Sequence, residues 1–135
     1  MRISQKLEYA CRAMVQLARH HDGQTLTRLD DLAQREAVSA NFLVQILNDL
    51  KRGGLIISKR GKAGGYLLAR DPGEINMLHV TRAVEPGMVT PNMNHDGESG
   101  RAVTQAWEQV SQSFEKKLES ITMDSLITQS PMFYI

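Results

Sequence analysis

Apolar positions recur at three- and four-residue steps along several stretches of this chain, the spacing that puts them on one face of a helix. Leu7, Ala10, Cys11, Met14, Leu17, Ala18 and His21 predict a first helix over about Ser4 to His21. After a turn at Asp22, Gly23 and Gln24, the pair Thr27 and Asp30 has the spacing of a capping box, opening a second helix that turns Leu29, Leu32 and Ala33 inward and ends near Glu36. Ala37 and Val38 form a short link. Ser39 then caps a third helix from Ala40, with Val38 and Leu43 spaced as a hydrophobic staple. In this helix Leu43, Ile46, Leu47 and Leu50 share a face that must be buried, which leaves Asn41, Val44, Gln45, Asn48 and Lys51 turned elsewhere. Gly53 and Gly54 stop it, because glycine takes the left-handed conformation of a helix end at no steric cost.

The pattern then changes. Leu55 to Ile57 and Tyr66 to Leu68 are short apolar runs suited to strands, joined by Ser58 to Gly65, a loop that holds Lys59, Arg60, Lys62 and glycines but no acid. Asp71, Pro72 and Gly73 break the chain, and Asn76 caps a fourth helix carrying Leu78, Val80, Thr81 and Val84 to about Glu85. Pro86 to Gly100 has no periodicity and is expected to be a loop. The last long helix, about Arg101 to Ile121, carries Val103, Trp107, Val110, Phe114, Leu118 and Ile121 as a heptad-like seam. A short closing helix over Thr122 to Thr128 follows, and the chain ends on the apolar Met132, Phe133, Tyr134 and Ile135, which suit docking on a dimer.

This order of elements has a meaning that no single element has. Two helices joined by a short turn, followed by a glycine stop and a cationic hairpin, make a helix-turn-helix with a wing. The expected fold is therefore mainly α with a small β-wing. Residues 1–85 form a winged helix-turn-helix DNA-binding domain, 86–100 a loop of the effector or cluster type, and 101–135 a dimerisation helix with its tail. The seam of the last helix has little of its own domain to cover, so it is expected to pack on the same helix of a second copy.

Charge sharpens this reading. The net charge is only +1, yet residues 1–70 hold 12 Lys and Arg against 6 Asp and Glu, while residues 71–135 hold 4 against 9. A basic front and an acidic back fit a front that faces nucleic acid. The single cysteine, Cys11, excludes a disulfide framework within one chain and any site built from several thiolates of one subunit. It lies in the apolar stripe of the first helix, where a small buried hydrophobe is expected. His20 and His21 point about 100° apart on a helix, unsuited to sharing a metal, and are expected to be a fraying polar end. No nucleophile with a base, carboxylate pair or phosphate loop appears, so an enzyme is not expected. With no signal peptide and no long apolar run, a cytoplasmic protein is expected.

The stretches Met1-Arg-Ile-Ser-Gln-Lys6 with Tyr9 and Ala10, Leu32 to Leu50 with Ser39, Phe42 and Gln45, and Arg60-Gly-Lys-Ala-Gly-Gly-Tyr-Leu-Leu68 carry a resemblance to a known family. Together with Ala106-Trp107 and Ile121-Thr122, they resemble the Rrf-two (BadM-type) family of bacterial transcription regulators over nearly the whole chain. The resemblance implies a homodimer crossed by the long C-terminal helix, with recognition helices in major grooves and wings in minor grooves of a near-palindromic operator on double-stranded DNA. It implies that Ser39, Asn41, Phe42 and Gln45 contact bases or phosphates and that Arg60 enters the minor groove from a wing shaped by Gly64, Gly65 and Tyr66. Lys6, Lys51, Lys59 and Lys62 are the expected phosphate contacts.

Cluster-binding members place three cysteines before the dimer helix. Here residues 86–102 contain none, and Arg101 stands where the last would align. No cofactor and no metal site is therefore expected. Glu8 matches a position where some relatives supply a carboxylate ligand, but without thiolates nearby it is expected to be a surface acid. Val44 stands where relatives carry an acidic residue, so operator preference is expected to differ. The expected function is a cluster-independent homodimeric repressor, with a small-molecule effector or partner enzyme as possible ligands of the loop and dimer helix. The alternative is a regulator that docks a metabolic enzyme, with DNA binding secondary.

Overall fold

In the computed structural model, Ser4 stands in extended conformation and its Oγ accepts the Leu7 amide at 3.1 Å, which sets the start of α1, Gln5–Arg19. The description covers residues 1–127; the expected docking tail Met132, Phe133, Tyr134 and Ile135 lies outside the described residues. After α1 come α2 (Leu29–Arg35), α3 (Ala40–Arg52), β1 (Ile56–Lys59), β2 (Gly65–Leu68), α4 (Met77–Val84), α5 (Gly100–Glu119) and α6 (Met123–Ile127). Single 3₁₀ turns sit at Pro72–Glu74 and Pro86–Met88.

The core is where α1, α2, α3 and α4 meet. Ala10, Ala13 and Met14 of α1 and all four expected core residues of α3 are fully buried, as is Leu32 of α2. Ala13 lies outside the expected stripe; a small residue there adds to the surface on which neighbouring helices close in. Each fully buried leucine contributes roughly 1.5–3 kcal/mol relative to an exposed one. Ser39 caps α3 as expected, its Oγ accepting the Phe42 amide at 3.1 Å.

Both turns flanking α3 are Schellman motifs. At the first, the Val38 amide donates to Ala33 at 3.0 Å and the Ala37 amide to Gln34 at 3.2 Å, which puts Ala37 at φ 54°. At the second, the Leu55 amide donates to Leu50 and the Gly54 amide to Lys51, both at 3.0 Å, with Gly54 at φ 77°. Gly53 does not take the left-handed conformation expected of it. Its φ is −76°, and the reason it has no side chain is packing: a Cβ would lie 2.9 Å from that of Ala83 on α4.

The expected capping box at Thr27 does not form. α2 begins at Leu29 with Arg28 at its N-cap position and no side-chain cap. Thr27 instead exchanges two backbone hydrogen bonds with Tyr66, each 2.8 Å, as an antiparallel bridge. It thereby adds a rung to the β1–β2 hairpin, whose register pairs Ile56 with Leu68 and Lys59 with Gly65. A Cβ on Gly65 would sit 2.5 Å from the Thr27 carbonyl oxygen, so only glycine permits this seam.

α1 ends at Arg19, two residues before the expected end, and His20 and His21 beyond it find side-chain partners. His20 Nε2 takes a hydrogen bond from Arg35 at 2.7 Å, and the largely buried His21 ring lies 3.3 Å from Asp71. Asn76 caps α4 in a reciprocal box: its Oδ1 accepts the His79 amide at 3.0 Å, and His79 Nδ1 accepts the Asn76 amide at 3.1 Å. After α5 the chain returns to the core, pairing Thr122 with Asn76 so that the Met77 amide donates to Ile121 and the Met123 amide to Ile75, both at 2.8 Å. Met123 is completely buried. The loop before α5 is partly fastened too, because Val89 is buried and its carbonyl accepts the Ser111 hydroxyl. On α5 itself only Thr104 is buried.

Candidate nucleic-acid interface

Burial of Leu43, Ile46, Leu47 and Leu50 fixes the rotation of α3, and so places Asn41, Gln45, Asn48 and Lys51 on the exposed surface, with Val44 half-buried beside them. These amide and ammonium groups suit the donor and acceptor edges of bases in a major groove. Ser39 and Phe42 have structural work at the same end of the helix. The Ser39 hydroxyl is engaged in the cap, and the Phe42 ring meets Tyr9 edge-on with centroids 6.0 Å apart. Arg12 lies 4.8 Å over the Tyr9 ring.

The wing projects Lys59, Arg60, Gly61 and Lys62 into solvent. Its tip closes on a hydrogen bond from the Gly64 amide to the Gly61 carbonyl, 2.9 Å, with Gly61 at φ 102°. A Cβ on Gly64 would overlap the Lys59 carbonyl, so the tight tip requires glycine there. Tyr66, half-buried and tied to Thr27, forms the strut on which the wing stands.

Between α3 and the wing lies a concavity of about 400 Å³, bordered by Arg28, Asn48, Lys51, Lys59, Arg60 and Tyr66 among others, with Asp30 the one acid in its lining. Four of the expected contact residues, Lys51, Lys59, Arg60 and Tyr66, are thus brought to one surface, with Gly64 and Gly65 shaping it. Lys62 stands beside it; its carbonyl accepts a hydrogen bond from Arg28 Nη1. Lys6 is placed differently. On α1 it forms an ion pair with Asp49 at 2.6 Å, a carboxylate that also holds Arg52 at 3.0 Å. Arg28 is the residue that sequence reasoning missed. With Thr27 expected to cap α2, no local pattern singled Arg28 out; its N-cap position emerges only in the structure.

The donor set does not fit a cysteine-held iron–sulfur cluster, which takes several thiolates. The chain has one cysteine, and its thiol lies against Met77, Sγ to Sδ 3.8 Å, where burial pushes its pKa up to about 11. Such a thiol stays protonated near neutrality and is a poor ligand. Glu8 is paired with Arg12 at 2.5 Å, and among the described residues no three His, Cys, Asp or Glu side chains are grouped to hold a metal. No helix of the described chain is long and apolar enough to cross a membrane.

Comparison with known proteins places this surface in context. Residues 3–129 match the Rrf2 family, described as an iron-dependent transcriptional regulator. A Mycobacterium tuberculosis protein named as an HTH-type transcriptional regulator is 37% identical over 129 residues, covering 91% of this chain and 79% of its own. The structure of CymR, the global cysteine regulator of B. subtilis, overlays with a TM-score of 0.81 at 29% identity, over 96% of this chain and 98% of that one. IscR of T. potens overlays with a TM-score of 0.77 at 30% identity, over 100% and 92%. The winged helix-turn-helix, the two-stranded wing and the match across nearly the full chain agree, and the chain belongs to the Rrf2 family of DNA-binding transcription regulators.

Proposed function

We propose that two copies of this chain bind a near-palindromic operator and repress transcription by occupying it, without an iron–sulfur cluster. Each α3 enters a major groove, where Asn41 and Gln45 read base edges, and each wing reaches the neighbouring minor groove with Arg60. Lys51, Lys59 and Lys62 contact phosphates, which supply most of the affinity, whereas Lys6 must exchange Asp49 for a phosphate to do so. The observation that carries this reading is the shared concavity, in which the exposed face of α3 and a cationic wing meet with one acid between them.

The exposed seam of α5 supports the homodimer. Val103, Trp107 and Val110 are 46%, 53% and 55% exposed, an apolar row that a second α5 covers with matching chemistry. Phe114, Leu118 and Ile121 continue the row where it returns to the domain. Any effector, whether a small molecule or a partner enzyme, acts at the loop and this helix. The test is selection of fragmented genomic DNA by the purified, metal-free protein at physiological salt. A recovered palindrome with two half-sites is expected; diffuse binding that vanishes as salt rises would overturn sequence-specific regulation by the metal-free protein.

A further inference from the structure

Arg28 breaks a local rule. It occupies the N-cap position of α2, where serine, threonine or aspartate would accept an amide hydrogen bond, and no side-chain cap is present. A guanidinium has no acceptor to offer. Its side chain instead reaches across to the wing, where Nη1 donates to the carbonyl of Lys62, 34 residues further along the chain. Local helix stability is forgone for a contact between the helix-turn-helix and the wing tip, the kind of conflict that marks a functional position.

The same side chain borders the concavity with Asn48 and Lys51 of α3 and Lys59 and Arg60 of the wing. When a helix lies in the major groove and a wing in the adjacent minor groove, the sugar–phosphate strand that separates the grooves must pass between them. That space is this concavity. Resting on the DNA-binding reading above, the geometry points to Arg28 as the clamp for a backbone phosphodiester at that crossing, holding the wing tip and the strand with one guanidinium. The planar fork of five N–H donors lets one edge keep the Lys62 carbonyl while another engages a phosphate oxygen. Strand position and wing position are thereby linked, so Arg28 sets where Arg60 meets the minor groove although it touches no base.

The test compares the parent with Arg28→Ala, Arg28→Ser and Arg28→Lys on the selected operator, and on a set of operators each carrying one neutral methylphosphonate per half-site. Arg28→Ala is expected to bind about tenfold more weakly and to lower the salt slope by about one. On the duplex whose methylphosphonate sits between the major- and minor-groove contacts, parent and variant are expected to bind alike. Arg28→Ser should lose the same affinity while its melting temperature holds or rises, because serine caps α2. Arg28→Lys should keep the salt slope and bind about threefold more weakly, since one ammonium cannot serve both partners as the fork does. An unchanged affinity for Arg28→Ala overturns the clamp, as does a loss equal on every modified duplex or one that follows a lowered melting temperature. A parent that binds no DNA overturns both the clamp and the DNA-binding reading, whereas a parent that binds its operator beside an equally tight Arg28→Ala overturns the clamp alone.

Discussion

α3 and α5 carry the same kind of pattern and meet opposite fates. In α3 every residue of the apolar stripe, from Leu43 to Leu50, is shut away from solvent, while in α5 Val103, Trp107 and Val110 remain about half exposed. The difference is not amphipathicity but supply of cover. α3 is surrounded by α1, α2, α4 and β1, whereas α5 touches its own domain mainly through α4, with Arg82 and Glu115 paired at 3.1 Å. At 20 residues it extends roughly 30 Å, about the diameter of a small domain, and along that length only Thr104 is buried. A stripe states that a face must be covered; only the rest of the fold states by what.

Two substitutions test that contrast, and they have the largest expected effects. Leu47→Ala leaves a cavity in the fully buried centre of α3, so stability to denaturant should fall by about 2–5 kcal/mol; a loss well under 1 kcal/mol would mean the core there is not tightly packed. Trp107→Glu should do the reverse. The side chain is 53% exposed in one copy, so far-UV dichroism of the chain should hold. Self-association measured by sedimentation equilibrium should weaken by about 2–4 kcal/mol, as expected when a central aromatic anchor is lost. A Trp107→Glu protein that remains as dimeric as the parent would remove α5 from the interface.

How far the sequence revealed these regions follows from how local their causes are. The α3 stripe, the Ser39 cap, the Asn76 cap and the paired apolar runs of the wing depend on residues within a few positions of one another, and each appears where the pattern put it. What the pattern misjudged depends on distant partners. Thr27 matched a capping box, but Tyr66 captured its backbone, 39 residues away in the chain. Gly53 looked like a stop signal and is a contact with Ala83. Met123 carried no sign of entering the core until the pairing of Ile75 and Met77 with the segment that follows α5 drew it in. At the candidate interface, the cationic wing was legible because its charges, Lys59, Arg60 and Lys62, lie close together in the chain, whereas Arg28 was not, because its role lies in reaching a carbonyl in another element.

Smaller effects belong to the wing. Arg60→Ala should weaken operator binding by roughly 1–3 kcal/mol with little change on unrelated DNA, while Lys59→Ala should weaken all DNA binding and lower the salt slope by about one. Titrations on both duplexes over a range of salt separate the two, and equal operator affinity for Arg60→Ala would deny it the minor groove. The two turns around α3 give a subtler comparison. Gly54 takes the left-handed position freely, but Ala37 holds φ 54° with a Cβ in the way. Ala37→Gly should therefore stabilise the fold by about 0.5–1 kcal/mol, seen as a raised denaturation midpoint with operator affinity unchanged. A destabilised variant would show that the methyl group is packed rather than strained.

The smallest effect concerns the cap that holds α4, the helix against which α5 mainly packs. His79 Nδ1 accepts the Asn76 amide, a bond that only the unprotonated ring can make. Burial lowers the His79 pKa below its ordinary value of 6.5, and Arg70 and Arg82 push the same way against the opposing pull of Glu119. The unfolded chain therefore takes up a proton at a pH where the folded chain still refuses one. Stability from the cap is complete above about pH 6.5 and declines as the pH falls below it, until the folded ring also titrates. Glutamine retains a side chain that can reach back to the Asn76 amide but does not titrate. Denaturation midpoints of the parent should thus fall more steeply between pH 7 and about 5 than those of His79→Gln. Parallel pH profiles would mean that the ring's protonation is not linked to folding, and that the α4 cap holds equally well in either charge state.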